Sequence, residues 1–492
     1  MSEKVVIRRL PSGVVGLDDA LGGGIPEYSF NLLAGGPGCG KTTLAHQILF
    51  ANATPERPAL YISILGEPPI KMLRYQQQFS FFDPAKLRDC IRFVHLGQEA
   101  LIGGLARVLS SIIKAVDSAG PGLVVVDSFR AVLRRSKARR QSDDELDLQS
   151  FVQRLALHLT SSQATTFLLG EYVERETDNN ALFTVADGIL WLYQAVEGNS
   201  MVRKIQVVKM RGQGQLPGLH TARITEHGLH VFPRISKPEE GPTVPAGSSE
   251  ERLSTGVKAL DKMLGGGIPM TYTTLLAGPS GSGKTVLASQ FLLEGARNGE
   301  CGIIAIFEKR PSEYLGTTPH TEEFARLVGE KKIEILYLRP LDLSIDETLA
   351  ALRDAVLRTG ARRAVIDSLS GLELALAPTF RTDFRESLYR MLGSLTALGV
   401  TVMATVELTD SYTDFRLSPQ DVSFLTDAVI IQRYAEIDGM LKRFLAVVKV
   451  RASQHSNELR EYEITDDGVQ ILPARHNKYD GLLTGRPQVR QG

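Results

Sequence analysis

Features that would narrow this 492-residue chain at once are scarce. It holds only three cysteines, Cys39, Cys90 and Cys301. An odd number at wide spacing supports neither a disulfide framework nor a zinc site. No apolar run approaches the roughly 18–20 residues that cross a bilayer. The opening stretch Met1-Ser2-Glu3-Lys4 leads into no apolar secretory segment. A cytoplasmic protein without a membrane anchor is expected. Charge of one sign is missing as well: 56 basic residues balance 56 acidic ones. That balance excludes a global electrostatic footprint for nucleic acid.

What is present is repetition. Residues 9–26 read RLPSGVVGLDDALGGGIP, and residues 252–269 read RLSTGVKALDKMLGGGIP. The match runs without a gap from Arg9/Arg252 to Ala45/Ala288, with roughly 22 of 37 positions identical. A repeat this long is a duplicated domain, and the length accommodates two cores of about 200–250 residues. Expected boundaries are 1–234 and 251–473. A Pro/Gly/Ser-rich linker occupies 235–250, and a polar mobile tail occupies 474–492.

Each copy carries the same series of near-continuous apolar runs, the mark of parallel strands covered on both faces. In the first they are 30–35, 59–65, 91–96, 123–127, 165–171 and 188–193; in the second, 273–278, 302–307, 333–338, 363–367, 400–407 and 428–434. Segments 101–118 and 345–358 have helical spacing, and 201–211 and 441–451 read as antiparallel extensions. The fold class predicted is α/β, with a mainly parallel sheet in each copy.

Two segments match G-x4-GK[ST] between a strand and a helix. The first is Gly35, Gly36, Pro37, Gly38, Cys39, Gly40, Lys41, Thr42 and then Thr43. The second is Gly278, Pro279, Ser280, Gly281, Ser282, Gly283, Lys284, Thr285 and then Val286. Glycines let backbone N–H groups converge on phosphate oxygens, and the helix N-terminus adds positive potential. Lys41 and Lys284 then face the β/γ-phosphates of ATP, while the Thr42 and Thr285 hydroxyls ligate Mg²⁺. Asp127 and Asp367 end apolar runs at the ligand-binding edge and can order the metal's hydration shell. The plainer alternative is a strand-end Asp capping the next turn.

Hydrolysis needs a carboxylate beside the γ-phosphate. Glu67, in Gly66-Glu67-Pro68-Pro69, and Glu308, in Phe307-Glu308-Lys309-Arg310, stand just past the second strand of each copy. Solvated turn residues are the alternative. The strand-ending Glu171 and Glu407 are further candidates for sensing the γ-phosphate.

The opening G-(x)3-LD-(x)2-LGGGIP, the duplication and these loops resemble the KaiC family, relatives of RecA, RadA and the hexameric helicases. The likeness covers about residues 5–473 and implies two tandem RecA-like domains. Family members carry adjacent glutamates at the turn after the second strand; here Gly66 and Lys309 replace one of each pair. The resemblance further implies a homohexamer with ATP between subunits. A K-x-R pair on an extended hairpin reaches the neighbour's phosphates: Lys209 and Arg211, and Lys449 and Arg451. An exposed basic strand end is the bland alternative. Some members phosphorylate themselves before a T-D pair. Ser423 matches the first acceptor, with Glu308 as base, and Phe424 fills the second position; an ordinary polar residue before a strand is the alternative.

Three function classes follow. One is an ATP-driven regulatory ATPase with a protein partner and Ser autokinase activity. The second is a nucleotide-gated scaffold with little turnover. The third is a DNA-dependent ATPase using the basic cluster Arg134 to Arg140, which has no interleaved aromatics and is followed by acidic residues. Cys39 reads as a small residue filling a tight turn.

Overall fold

A computed structural model describes residues 6–64, 69–97, 104–128, 143–172, 181–197, 200–234, 251–338, 343–408, 425–437, 439–473, 479–480 and 488–489. The chain divides into two compact units, Met1–Ser236 and Lys237–Gly492.

In the first unit the main sheet contains β1 (Phe30–Gly35), β2 (Ala59–Ile64), β3 (Ile91–Leu96), β4 (Leu123–Asp127), β5 (Thr165–Glu171), β6 (Gly188–Glu197), β7 (Ser200–Met210), β8 (Leu219–Thr225) and β9 (Gly228–Phe232). Their spatial order is β9-β8-β7-β6-β1-β5-β4-β2-β3. The six strands from β6 to β3 run parallel. β7, β8 and β9 then add antiparallel hairpins at one side.

Alternation along the strands splits the apolar residues between two cores. Leu33, Tyr61, Val125 and Leu169 face the helix Lys41–Asn52 through Leu44 and Ile48. Leu32, Leu60, Val124 and Leu168 face the helices Gly104–Ala119 and Asp143–Ser161 through Val108, Ile112, Val152 and Leu155. Burial on both faces is why these strands read as unbroken apolar runs.

The second unit repeats this plan. Its strands are β10 (Thr273–Gly278), β11 (Gly302–Ile306), β12 (Ile333–Tyr337), β13 (Arg363–Asp367), β14 (Thr401–Glu407), β15 (Ala428–Ile437), β16 (Met440–Val450), β17 (Arg460–Thr465) and β18 (Gly468–Ile471). The order β18-β17-β16-β15-β10-β14-β13-β11-β12 is the first sheet's order with nine added to each label. Even the bulge recurs, between Ile189 and Leu190 and between Val429 and Ile430. Both sheets therefore have the expected α/β, mainly parallel character. The antiparallel extension is longer than expected, continuing through two further strands in each unit.

Among the described residues no helix is long and apolar enough to cross a membrane.

Candidate nucleotide-binding sites

Both glycine-rich loops leave the C-terminal end of the sheet's central strand and enter a helix. Gly38 and Gly40 have φ of 75° and 103°, and Gly281 and Gly283 have φ of 75° and 94°. This is the left-handed region that side chains with a Cβ disfavour. A Cβ on Gly40 would also lie 2.9 Å from Ile224 Cδ1, and one on Gly283 would lie 2.6 Å from Ile464 Cδ1. The antiparallel extension thus presses on the last loop glycine in both units. No side chain caps the helix beginning at Lys41 or at Lys284, so the N–H groups of the first turn remain for a ligand. Pro37 and Gly38, like Ser280 and Gly281, form the exposed crown of each loop. Thr43 and Val286 follow in the first helical turn.

The lysine ammonium lies inside the curl of its own loop. Lys41 Nζ donates to the carbonyls of Gly35 at 3.0 Å and Gly36 at 2.7 Å. Lys284 Nζ donates to Gly278 and Pro279, each at 2.8 Å. Cys39 is buried with its thiol on the Gly36 carbonyl at 2.9 Å, as a small filler of the turn should be. Ser282 fills the equivalent place and donates to Gln432 Oε1 at 3.1 Å.

Strand-end carboxylates meet the loop threonines in both units. Thr285 Oγ1 donates to Asp367 Oδ2 at 2.9 Å, and Thr42 Oγ1 to Asp127 Oδ2 at 3.4 Å. A second hydroxyl holds each carboxylate, and neither was found by sequence reasoning. Tyr61 on β2 donates to Asp127 Oδ2 at 2.5 Å, whereas Thr405 on β14 donates to Asp367 Oδ1 at 2.5 Å. A signal existed for the first: a tyrosine inside an apolar strand needs a partner for its hydroxyl.

Burial raises the Asp127 carboxyl pKa, against the opposing hydrogen bonds from Tyr61 and Thr42 and the Lys41 charge; Glu171 adds to the rise. Burial likewise pushes the Tyr61 phenol well up, and the Asp127 charge adds to it. Lys284 is lowered by burial and by Lys309, while Glu407, Asp367 and Glu308 oppose the shift. Those three carboxylates therefore converge electrostatically on the second loop's lysine. Glu308 itself is exposed, and its Oε1 accepts from Ser368 Oγ at 3.1 Å. Ser368 Oγ in turn accepts the N–H of Gly371, capping the helix Leu369–Ala375.

The K-x-R pairs stand elsewhere. Lys209 pairs with Ile189, whereas the loop residue Gly35 pairs with Leu192. Lys209 is thus about 10 Å down the sheet from its own loop, and Arg211 lies farther still. Lys449, opposite Val429, repeats the arrangement. Lys209 and Lys449 are half-buried, Met210 and Val450 point inward, and Arg211 and Arg451 are exposed one residue past the strand end. Lys209 Nζ donates to the Thr184 carbonyl at 3.3 Å and Lys449 Nζ to that of Thr426 at 2.5 Å. Glu67, Ser423 and the Arg134–Arg140 cluster lie outside the described residues.

The chain is similar to the circadian clock oscillator protein KaiC of Picosynechococcus sp., 27% identical over 491 residues that cover 98% of this chain and 92% of that protein. It is 28% identical over 497 residues to the circadian clock oscillator protein KaiC 1 of Synechocystis sp., covering 98% and 92% of the two chains. Against KaiC of Synechococcus elongatus the figures are 26% over 501 residues, 99% and 93%. The family model for the KaiC ATPase matches residues 10–236 and again residues 253–476. With both halves matched, this chain belongs to the KaiC family of ATPases.

Proposed function

We propose that the chain binds MgATP at both loops and works as a ring-forming, ATP-driven regulatory protein. The observation that carries this reading is the constellation found twice: lysine ammonium within the glycine loop, and threonine hydroxyl on a strand-end aspartate. These groups fit the ligand. Gly35, Gly36, Gly38 and Gly40, with their counterparts Gly278, Gly281 and Gly283, open the backbone to phosphate. Lys41 and Lys284 neutralise it. Thr42 with Asp127, and Thr285 with Asp367, hold the metal and its waters. MgATP, when bound, supplies the transferable phosphoryl group and the metal's charge. Glu308 positions or deprotonates water in the second unit, and Glu67 does so in the first.

Because each K-x-R pair stands at the sheet edge remote from its own loop, it serves an adjacent copy. Lys209 and Arg211, and Lys449 and Arg451, would complete the neighbour's sites in a homohexamer. A regulatory protein then reads the nucleotide state. Ser423 is the proposed acceptor of a weak autokinase activity. A specific observation favours slow turnover, close to a nucleotide-gated scaffold: Lys309 places a cation near Lys284 where the family carries a second glutamate.

The test is particle mass by light scattering with and without MgATP, with phosphate release and intact mass followed in parallel. An ATP-dependent particle near six times 53.9 kDa that releases phosphate supports the reading. A monomer that retains no nucleotide refutes it. ATP-dependent assembly unaffected by Glu67→Gln and Glu308→Gln favours the scaffold. One added phosphoryl group that Ser423→Ala removes supports the autokinase.

A further inference from the structure

The two units hold their strand-end aspartates from opposite sides. β4 lies between β2 and β5, and β13 lies between β11 and β14. In the second unit the extra hydroxyl comes from β14, where Thr405 stands beside Asp367, and the β11 position is the apolar Ile304. In the first unit the β5 position equivalent to Thr405 is Leu169, which is buried and has no hydroxyl. The β2 position equivalent to Ile304 is Tyr61, whose longer side chain reaches Asp127 from one inward-facing position below it. Hydroxyl and hydrocarbon have exchanged places between the two copies.

The exchange alters how the carboxylate is used. Thr285 and Thr405 occupy different oxygens of Asp367, Oδ2 and Oδ1. Tyr61 and Thr42 both address Oδ2 of Asp127, leaving Oδ1 as the oxygen that neither hydroxyl uses. The phenol is held rigidly. Its ring stacks on His46 at 4.8 Å between centroids and packs against Phe93 at 5.3 Å. His46 belongs to the same helix that begins at Lys41, so loop, ring and carboxylate are tied together.

Resting on the reading of the first loop as a MgATP site, we propose that Tyr61 is a positioning residue for its metal. It holds the Asp127 carboxylate in the orientation that meets Thr42 and the magnesium waters, as Thr405 holds the Asp367 carboxylate from the other side in the second unit. Groups that orient metal-binding side chains typically contribute 10–100-fold to metal affinity.

The experiment uses the full chain with Lys284→Ala, which silences the second loop. Mg²⁺ is titrated at a fixed concentration of a fluorescent ATP analogue, and retention is read by anisotropy. Tyr61→Phe keeps the ring and deletes only the hydroxyl. It is expected to raise the Mg²⁺ midpoint about tenfold while affinity in EDTA stays within about twofold. Tyr61→Ile should do the same, and adding Leu169→Thr should recover most of the loss, because the clamp is rebuilt from β5. A purely structural tyrosine predicts neither the magnesium-selective shift nor the rescue. An unchanged midpoint in Tyr61→Phe overturns the proposal. Nucleotide retention that ignores Mg²⁺, or survives Lys41→Ala, in the parent chain instead refutes the MgATP reading, and the clamp falls with it.

Discussion

Arg211 faces Asp187 across 3.0 Å, and the other oxygen of that carboxylate accepts the backbone N–H of Phe30 at 3.0 Å. Phe30 begins the strand that ends in the first glycine-rich loop. The second unit repeats the link: Asp427 holds Arg451 at 3.3 Å and the N–H of Thr273 at 3.0 Å. In each unit the arginine is therefore tied, through one carboxylate, to the base of the loop strand.

If these arginines act in trans, defects in loop and arginine should complement. In a Lys41→Ala background, which removes the first site, Lys284→Ala and Arg451→Ala should each lose turnover, the arginine change by about 10³-fold or more. Mixing the two inactive chains should restore a measurable fraction of phosphate release, since each supplies the part the other lacks. No recovery after subunit exchange would assign the arginine to its own chain.

Glu308→Gln should lower turnover at the second site by about 10²-fold or more, with nucleotide affinity little changed. Lys309→Glu removes the neighbouring cation and rebuilds a paired carboxylate, so turnover should rise. Single-turnover phosphate release separates the two effects from binding.

His46 is buried beside Tyr61, and burial lowers its pKa from 6.5 to about 4, with the Gln76 side chain opposing. Well above pH 6.5 the imidazole is neutral in both folded and unfolded chains, and it takes nothing from the first unit's stability. As pH falls from 6.5 towards 4 the unfolded state takes up a proton that the folded state refuses. Stability should therefore fall by about 3 kcal/mol over that window. The single tryptophan, Trp191, is buried on β6, so its fluorescence during urea unfolding reports this unit. His46→Leu should flatten the pH dependence. The second unit has Ser289 at this position, bonded to Tyr314 at 2.7 Å, and lacks that contribution.

Arg363 is buried at 2% side-chain exposure and pairs with Glu300 at 2.5 Å, its guanidinium lying over the Phe291 ring. Glu300→Ala leaves that cation unpaired and should cost about 3–5 kcal/mol. Replacing both partners, Arg363→Leu (the residue type that Leu123 provides in the first unit) together with Glu300→Met, should cost much less, because a buried pair replaced by hydrocarbon is often near neutral. Thermal unfolding followed by circular dichroism ranks the two.

Much of the fold could be read directly because its determinants are local. Each glycine-rich loop must combine glycine, lysine and threonine at fixed spacing. The parallel strands are buried on both faces and so stand out as apolar runs. β8 and β9, with β17 and β18, were missed: they are half-exposed strands such as Leu219–Thr225 and Arg460–Thr465, whose polar residues break the apolar pattern.

The sequence by itself determined the duplication, the loops with Lys41 and Lys284, and the carboxylates Asp127 and Asp367. All are set by spacing within a short stretch of chain. Tertiary structure alone decided what holds those carboxylates and which way the basic pairs face. Tyr61 is 66 residues from Asp127, and Thr405 is 38 from Asp367. Only the strand order makes them neighbours. Similarly, the register of β6 on β1 and of β7 on β6 puts Lys209 at the edge remote from Gly35. Hydrogen bonds between distant strands set that placement, and no local pattern encodes it.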